Sequence, residues 1–474
     1  ITSSGRDRAR LTDYIQSERP EVTARCVTRT GWHGDVFVLP RETLGDSETE
    51  PVLFQAAALE GVALGQAGTL DGWREQVAMP CAGNSRLVLA LSAGFAGPCL
   101  GLLGMEGGGF HLRGKTSCGK STALQLAASL YGSPGYVRTW RTTDNALEGL
   151  AGLHSDLLLV LDEIGQLAPK HAGQVAYLLG NGQGKARAAR DGSPRALPTW
   201  RVLFLSGGEI GLSDLVAQSG EKVRAGQEVR VIDLPADAGA GLGLFEHVPD
   251  GMIAGVFSDS LKAAAARHYG HGLPAFLRAL VANPAQSRKV LLELRDKITG
   301  ELVHDDAAGQ VRRVAQRFAL VAAAGELATA YGLTGWATGE AQRAASACFA
   351  AWLDGRGTTG ESEPAAMLAQ VRAFLSAHGE SRFTDWHAGH DAPRTINRAG
   401  YRRGSSDGPT YYVEREAFRR ELCVGFDPAT VAAMLADAGM LEKGGDGRAD
   451  KKMRLPDNRS ARVFVILPTL WGDA

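Results

Sequence analysis

Gly114-Lys115-Thr116-Ser117-Cys118-Gly119-Lys120-Ser121 combines residue types that together hold phosphates. Glycines at 114 and 119 allow a tight backbone turn that aims N–H groups at phosphate oxygens. The Lys120 ammonium reaches β- and γ-phosphates, and the Ser121 hydroxyl is suited to ligate Mg²⁺. A helix opening at this point adds its positive dipole end. The order G-x-x-x-x-G-K-[ST] is the P-loop pattern, so ATP and Mg²⁺ are the expected cofactors, with Gly114 through Thr122 contacting them. The plainer reading is a glycine-rich turn without nucleotide, and the flanks argue against it. Gly109-Phe110-His111-Leu112 suits a short buried strand. Ser121 to Tyr131 carries Leu124, Ala127, Ala128 and Tyr131 at helical spacing before Gly132.

Hydrolysis needs acids beside the loop. The apolar run Leu157 to Leu161 reads as a strand buried on both faces and ends in Asp162-Glu163. There the aspartate can hold Mg²⁺ and its waters, and the glutamate can polarise an attacking water. Alone, the pair reads as a solvated strand end. Downstream of a P-loop it reads as a hydrolase, and the glutamate argues against a small-molecule kinase, which must keep water from the phosphate. Another apolar strand, Val202 to Leu205, ends in Ser206. Ser206 is the candidate to meet the γ-phosphate or the attacking water, the position called sensor 1 in ring ATPases. A loop-capping serine is the alternative. Arg230 starts the apolar strand that runs on through Leu234. It is favoured over Arg224 as a finger completing a neighbouring subunit's site, against a plain strand-edge arginine.

These segments alternate strand and helix from about 105 to 250, an α/β pattern. Tyr136 to Trp140 is a further strand, and Thr142 or Thr143 can cap the helix after it. Between two of the strands, Gly180 to Arg201 holds Lys185, Arg187, Arg190, Arg195 and Arg201 against the single acid Asp191. Such a segment can grip single-stranded nucleic acid by its phosphates, with Lys185, Arg187 and Arg190 as the expected contacts; the alternative is a solvated loop.

The chain has 474 residues, which suggests several domains. Expected divisions are an accessory mixed α/β domain at 1–83, a P-loop core at 84–250, a helical lid or bundle at 251–356 and a winged-helix-like domain at 364–474. Asn84 to Leu103 reads as a buried helix, too interrupted by Gly94, Gly97 and Pro98 to span a membrane. In the tail, Glu416 to Cys423 reads as a helix. Asp427 caps a second helix with Pro428 at its first position, and Gly439 ends it. A basic stretch from Lys443 to Arg462 then leads into the strand Val463 to Leu467. A helical domain with a solvated basic loop is the alternative to a winged helix.

The formal net charge is −1, so any nucleic-acid site must be a local patch. Six cysteines form no C-x-x-C pair and suit a reducing cytoplasm. His387 and His390 beside Asp385 and Asp391 lack the third ligand that a metal site needs. The chain starts at Ile1, which is read here as a fragment or processed chain.

These features resemble the P-loop ATPase domain of phage and mobile-element replication proteins, a family long of unknown function and often fused or adjacent to a primase. The carriers are Gly31-Trp32, Gly68-Thr69-Leu70 with Gly72-Trp73, His111-Leu112-Arg113-Gly114, Trp140 to Asn145, the strand into Asp162-Glu163, and Ala225 to Arg230. Phe318-Ala319, Gly325 to Ala328 and Gly335-Trp336 extend the match. The resemblance implies a cytoplasmic, ring-forming ATP-driven DNA helicase or translocase, and a hexamer is the expected ring. Lys120, Ser121, Asp162 and Glu163 carry over by motif; Ser206, Arg230 and a lid contact from Arg317 follow from position. A loader or remodeller of another replication protein, and a DNA-binding module without turnover, are the rival readings.

Overall fold

The site rests on five parallel strands, whose order follows from which apolar runs can be buried on both faces. In the computed structural model, residues 4–20, 23–47, 50–55, 63–185, 197–220, 225–304, 307–356, 362–389 and 393–472 are described. The chain divides into two compact units, Ile1–Thr359 and Gly360–Ala474. The segments expected at 1–83, 84–250 and 251–356 all lie in the first.

In the first unit a buried helix α1 (Ser85–Leu103) precedes β1 (Gly108–Arg113), α2 (Lys120–Ser129), β2 (Arg138–Thr139) and α3 (Asp144–Leu153). Then come β3 (Leu158–Asp162), α4 (Pro169–Asn181), β4 (Leu203–Gly208), β5 (Val231–Pro235) and α5 (Ala254–Arg267). The sheet order is β5-β1-β4-β3-β2. Sequence neighbours β1 and β2 are thus separated by β4 and β3. The strand order reverses beside β1, and the crevice at such a reversal is where α/β sheets bind ligands. Register sets Asp233, His111 and Ser206 side by side in one row across β5, β1 and β4.

Only Arg138 and Thr139 of the expected Tyr136–Trp140 strand pair with β3; Pro134–Tyr136 is a 3-10 turn. Thr143, rather than Thr142, caps α3, its side chain accepting from Ala146 N–H.

Helix α1 is long and apolar enough to cross a membrane by composition, yet 89% of it is buried inside the fold. It is the central packing helix. A Cβ at Gly97 would stand 2.6 Å from the Leu157 carbonyl carbon, so glycine there admits the start of β3. Helix α6 (Gly309–Ala330) packs its apolar stripe on the same core, with Phe318 and Phe110 ring centroids 4.8 Å apart. Helix α7 (Glu340–Arg356) adds Phe349 against Phe318. The sheet and these helices share one hydrophobic cluster, which burial of roughly 25 cal/mol per Å² of apolar surface stabilises.

The second unit has its own core. Helix α8 (Ser362–His378) precedes β6 (Thr410–Glu414), a helical segment Arg415–Leu422 and α9 (Pro428–Asp437). Asp427 caps α9, its carboxylate accepting from Thr430 N–H at 2.9 Å. The hairpin β7 (Lys451–Arg454) and β8 (Ser460–Ile466) follows, and β8 also pairs with β6. Much of the basic stretch is neutralised locally. Arg462 binds Asp446 and Asp450, Arg459 binds Asp457 and Glu414, and Lys451 binds Glu442.

Candidate nucleotide site

Residues 114–119 form the turn between β1 and α2. Ser117 (φ +64°) and Gly119 (φ +101°) take left-handed backbone conformations, and Gly119 does so without a Cβ penalty. A Cβ at Gly119 would also stand 2.9 Å from Leu244 Cβ. The segment after β5 lies against the loop, with Leu244 N–H donating to the Cys118 carbonyl at 2.8 Å. That segment is anchored to the start of α1, where Asn84 Oδ1 accepts from Glu246 and His247 N–H. Gly114 N–H donates to the Gly208 carbonyl, tying the loop to the end of β4.

The Lys120 ammonium is nearly buried and donates to the Gly114 and Lys115 carbonyls, each at 2.8 Å. Ser121 is exposed at the first turn of α2. Thr122 is buried, and its hydroxyl bonds Ser258 of α5 at 2.6 Å. Asp162 ends β3 beside β4. Glu163 follows at φ +60°, exposed, its N–H donating to Asp162 Oδ1 at 3.0 Å. A cavity of about 450 Å³ joins these parts, lined by the loop, Glu163, Glu209, Phe245 and the first turns of α5. Larger clefts of about 740 and 820 Å³ exist elsewhere without a phosphate loop.

The donor set suits Mg²⁺, which uses few protein oxygens and completes its shell with phosphate and water. Ser121 hydroxyl and Asp162 carboxylate are the residues that would hold it. Among the described residues no group of three or more His, Cys, Asp or Glu gathers as a self-contained metal site. His390 and Asp391 lie outside the described residues.

Ser206 sits elsewhere than the cavity. It is fully buried, accepting from Trp140 Nε1–H at 2.7 Å and bonded to His111 Nδ1 at 2.9 Å. His111 Nε2 bonds the Ile210 carbonyl at 2.9 Å. A carbonyl can only accept, so Nε2 carries the proton and Nδ1 accepts from Ser206. The chain of donation therefore runs Trp140 to Ser206 to His111 to Ile210. Burial pushes the His111 pKa down to about 4, which keeps this neutral tautomer. Burial likewise pushes Asp233, 4.0 Å from His111, up to about 6.

Arg230 lies at the other end of the sheet, just before β5, where its carbonyl accepts from Gly109 N–H. Five residues of strand, roughly 16 Å, separate that end from Gly114. Its guanidinium stacks 4.7 Å from the Tyr177 ring centroid and donates to the Gly226 carbonyl at 2.8 Å. Arg224 lies outside the described residues. Arg317 is also at this far end, partly buried, donating to the Gly107 and Val229 carbonyls, and burial lowers its pKa to about 10. It does not reach the phosphate loop.

Arms flanking the basic segment pair with each other: Gly184 N–H donates to Pro198 and Trp200 N–H to Gly182. Lys185 lies on one arm, its N–H bonded to Glu148. Arg187, Arg190 and Arg195 are outside the described residues. Arg201 is engaged in the fold instead, making two 2.8 Å hydrogen bonds to the buried Asp156.

Sequence reasoning missed Glu209 as a wall of the cavity and Asp259 with Lys262 on α5. For Glu209 a signal existed: Gly207-Gly208 after Ser206 leaves Glu209 as the next side chain of the strand tip.

Residues 1–198 match a family model described as a domain of unknown function, DUF927. No curated protein matches the chain. One solved structure, described as "SCCmec type IV Cch - active helicase", is similar with a TM-score of 0.74 at 18% identity, over 97% of this chain and 82% of that one. At that identity the likeness is one of fold, a mixed α/β architecture with a parallel sheet.

Proposed function

We propose that this chain is a cytoplasmic P-loop ATPase that forms a ring, a hexamer, and drives DNA unwinding or translocation during replication of a phage or mobile element. The observation that carries this reading is one cavity holding Lys120 and Ser121, which follow β1, together with Glu163, which follows β3, two strands of a parallel sheet that flank β4. The likeness of fold to an SCCmec helicase and the match to a DUF927 domain support the biological setting.

In this reading Lys120 leaves the Gly114 and Lys115 carbonyls for the β- and γ-phosphates. Mg²⁺, when bound there, would neutralise charge developing on the phosphates. Ser121 and Asp162 orient it, and Glu163 polarises the attacking water. Arg230 cannot serve its own loop from the far end of the sheet, so it acts on the nucleotide of the adjacent subunit. Lys185, with Arg187 and Arg190, grips single-stranded DNA in the channel, and residues 364–474 serve as a winged-helix-like domain. A primase is the partner this setting favours.

The test is ATP hydrolysis and fork unwinding, with and without single-stranded DNA, for wild type and Glu163→Gln. Turnover stimulated by DNA and abolished by the substitution, with ATP binding kept, is expected. Unchanged turnover in Glu163→Gln would sink the catalytic role. Hydrolysis without strand separation would favour a loader of another replication protein.

A further inference from the structure

We propose that Glu209, and not Ser206, is the side chain through which β4 responds to the terminal phosphate, as a positioning residue that acts on the phosphate loop. This rests on reading the cavity as an ATP-hydrolysis site.

Three consecutive positions at the tip of β4 are closed to any such role. Ser206 is saturated inside the protein by Trp140 and His111. Gly207 offers no side chain, and its surroundings are tight: a Cβ there would stand 3.2 Å from Leu124 Cδ1 and 3.3 Å from Asp162 Oδ1. At Gly208 a Cβ would stand 2.8 Å from Ile164 Cγ2 and 3.1 Å from His111 Cε1. Glu209 is therefore the first side chain that β4 can present to the cavity, and it lines it with Glu163. Because β4 is the neighbour of β3, the two glutamates follow adjacent strand ends.

Glu209 is already in contact with the loop. Its carboxylate accepts a hydrogen bond from the Thr116 hydroxyl. The turn that carries it is held from below. His111 Nε2–H donates to the Ile210 carbonyl at 2.9 Å, and Leu212 N–H donates to Asp233 Oδ2 at 3.2 Å. The buried chain from Trp140 to Ile210 thus serves to fix the turn, which accounts for a hydroxyl and an imidazole so deep in the sheet.

A carboxylate bonded to the middle of a phosphate loop competes with a phosphate for the same place, because the two anions repel. Arrival of the terminal phosphate displaces Glu209 from Thr116. A nucleoside diphosphate, lacking that phosphate, leaves the contact in place. Release of Thr116 then couples the loop to the phosphate being cleaved, so the contact distinguishes ATP from ADP.

The experiment compares wild type, Glu209→Gln and Thr116→Val by steady-state ATP turnover and by calorimetric binding of ADP and of a non-hydrolysable ATP analogue, all with Mg²⁺. Glu209→Gln is expected to lower kcat at least tenfold, with KM within threefold and ADP affinity within twofold of wild type. The affinity for the analogue relative to ADP should rise at least fivefold in Glu209→Gln and shift the same way in Thr116→Val, because both remove the competition. A kcat loss below threefold, or equal weakening of both nucleotides, overturns the proposal. Wild-type protein that binds neither nucleotide refutes instead the reading of the cavity itself.

Discussion

The Lys120 ammonium lies 2.8 Å from the Gly114 carbonyl, folded back onto its own loop. Its charge is held by backbone oxygens at both Gly114 and Lys115. Replacing it removes a charge-assisted phosphate contact of about 1.5–3 kcal/mol. Lys120→Ala is therefore expected to weaken ATP binding roughly 10- to 150-fold while the protein stays folded, as calorimetry and thermal melting can establish.

Arg230 and Tyr177 make a second testable pair. Gly180 admits this arrangement, since a Cβ there would stand 2.5 Å from Arg230 Cδ and 2.9 Å from its Cβ. Arg230→Ala is expected to leave ATP affinity within threefold and to cut turnover by up to about 10³-fold, the scale of an arginine finger. Gly180→Ala should reproduce part of that loss by displacing the side chain. Mixtures of Arg230→Ala and Lys120→Ala subunits should regain turnover, because one intact composite site can form. Full activity in Arg230→Ala would reject the finger.

Arg201 belongs to stability rather than to DNA contact. Asp156 is fully buried at φ +57° and also accepts from Trp32 N–H at 3.0 Å. Removing one partner of a buried pair leaves the rest uncompensated. Asp156→Ala is expected to cost about 3–5 kcal/mol in chemical unfolding. Lys185→Ala should instead leave stability unchanged and reduce the salt slope of DNA binding by about one.

Acid should loosen the first unit through its buried histidines. Burial lowers His154 from 6.5 to about 4. Between those values the unfolded chain binds the proton and the folded chain does not, so stability is full above pH 6.5 and falls as pH drops toward 4. His111 contributes in the same direction, while Asp233, raised to about 6, opposes it by favouring the folded state as it protonates below that pH. His154→Phe keeps a ring against Tyr136 and removes one titrating group. Its unfolding free energy should vary less with pH in this window, by up to about 1.4 kcal/mol per pH unit. An unchanged slope would show that His154 is not the responsible group.

What the chain order alone determined was local. A turn between a strand and a helix is made by consecutive residues, so the glycine-rich turn at Gly114 to Ser121 is readable without a fold. A buried parallel strand is a continuous apolar run, so Leu157 to Leu161 and its acidic end were readable as well, and Asp427-Pro428 marked a helix start. The tertiary structure decided everything that depends on which strand lies beside which and on how far each side chain can reach. Ser206 follows an apolar strand as Asp162 does, yet register sets it beside His111 and under Trp140, away from the cavity. Two glycines, which have no side chain to offer and little space for one, then hand the strand tip to Glu209. Arg201 is one more cation in a basic segment until Asp156, 45 residues earlier, binds it. Arg230 gains its meaning from a parallel pairing with β1 that sets it at the end opposite the phosphate loop. Spacing along the chain specifies dihedral patterns and alternation, but contacts across a sheet join residues far apart in sequence, and only packing selects among them.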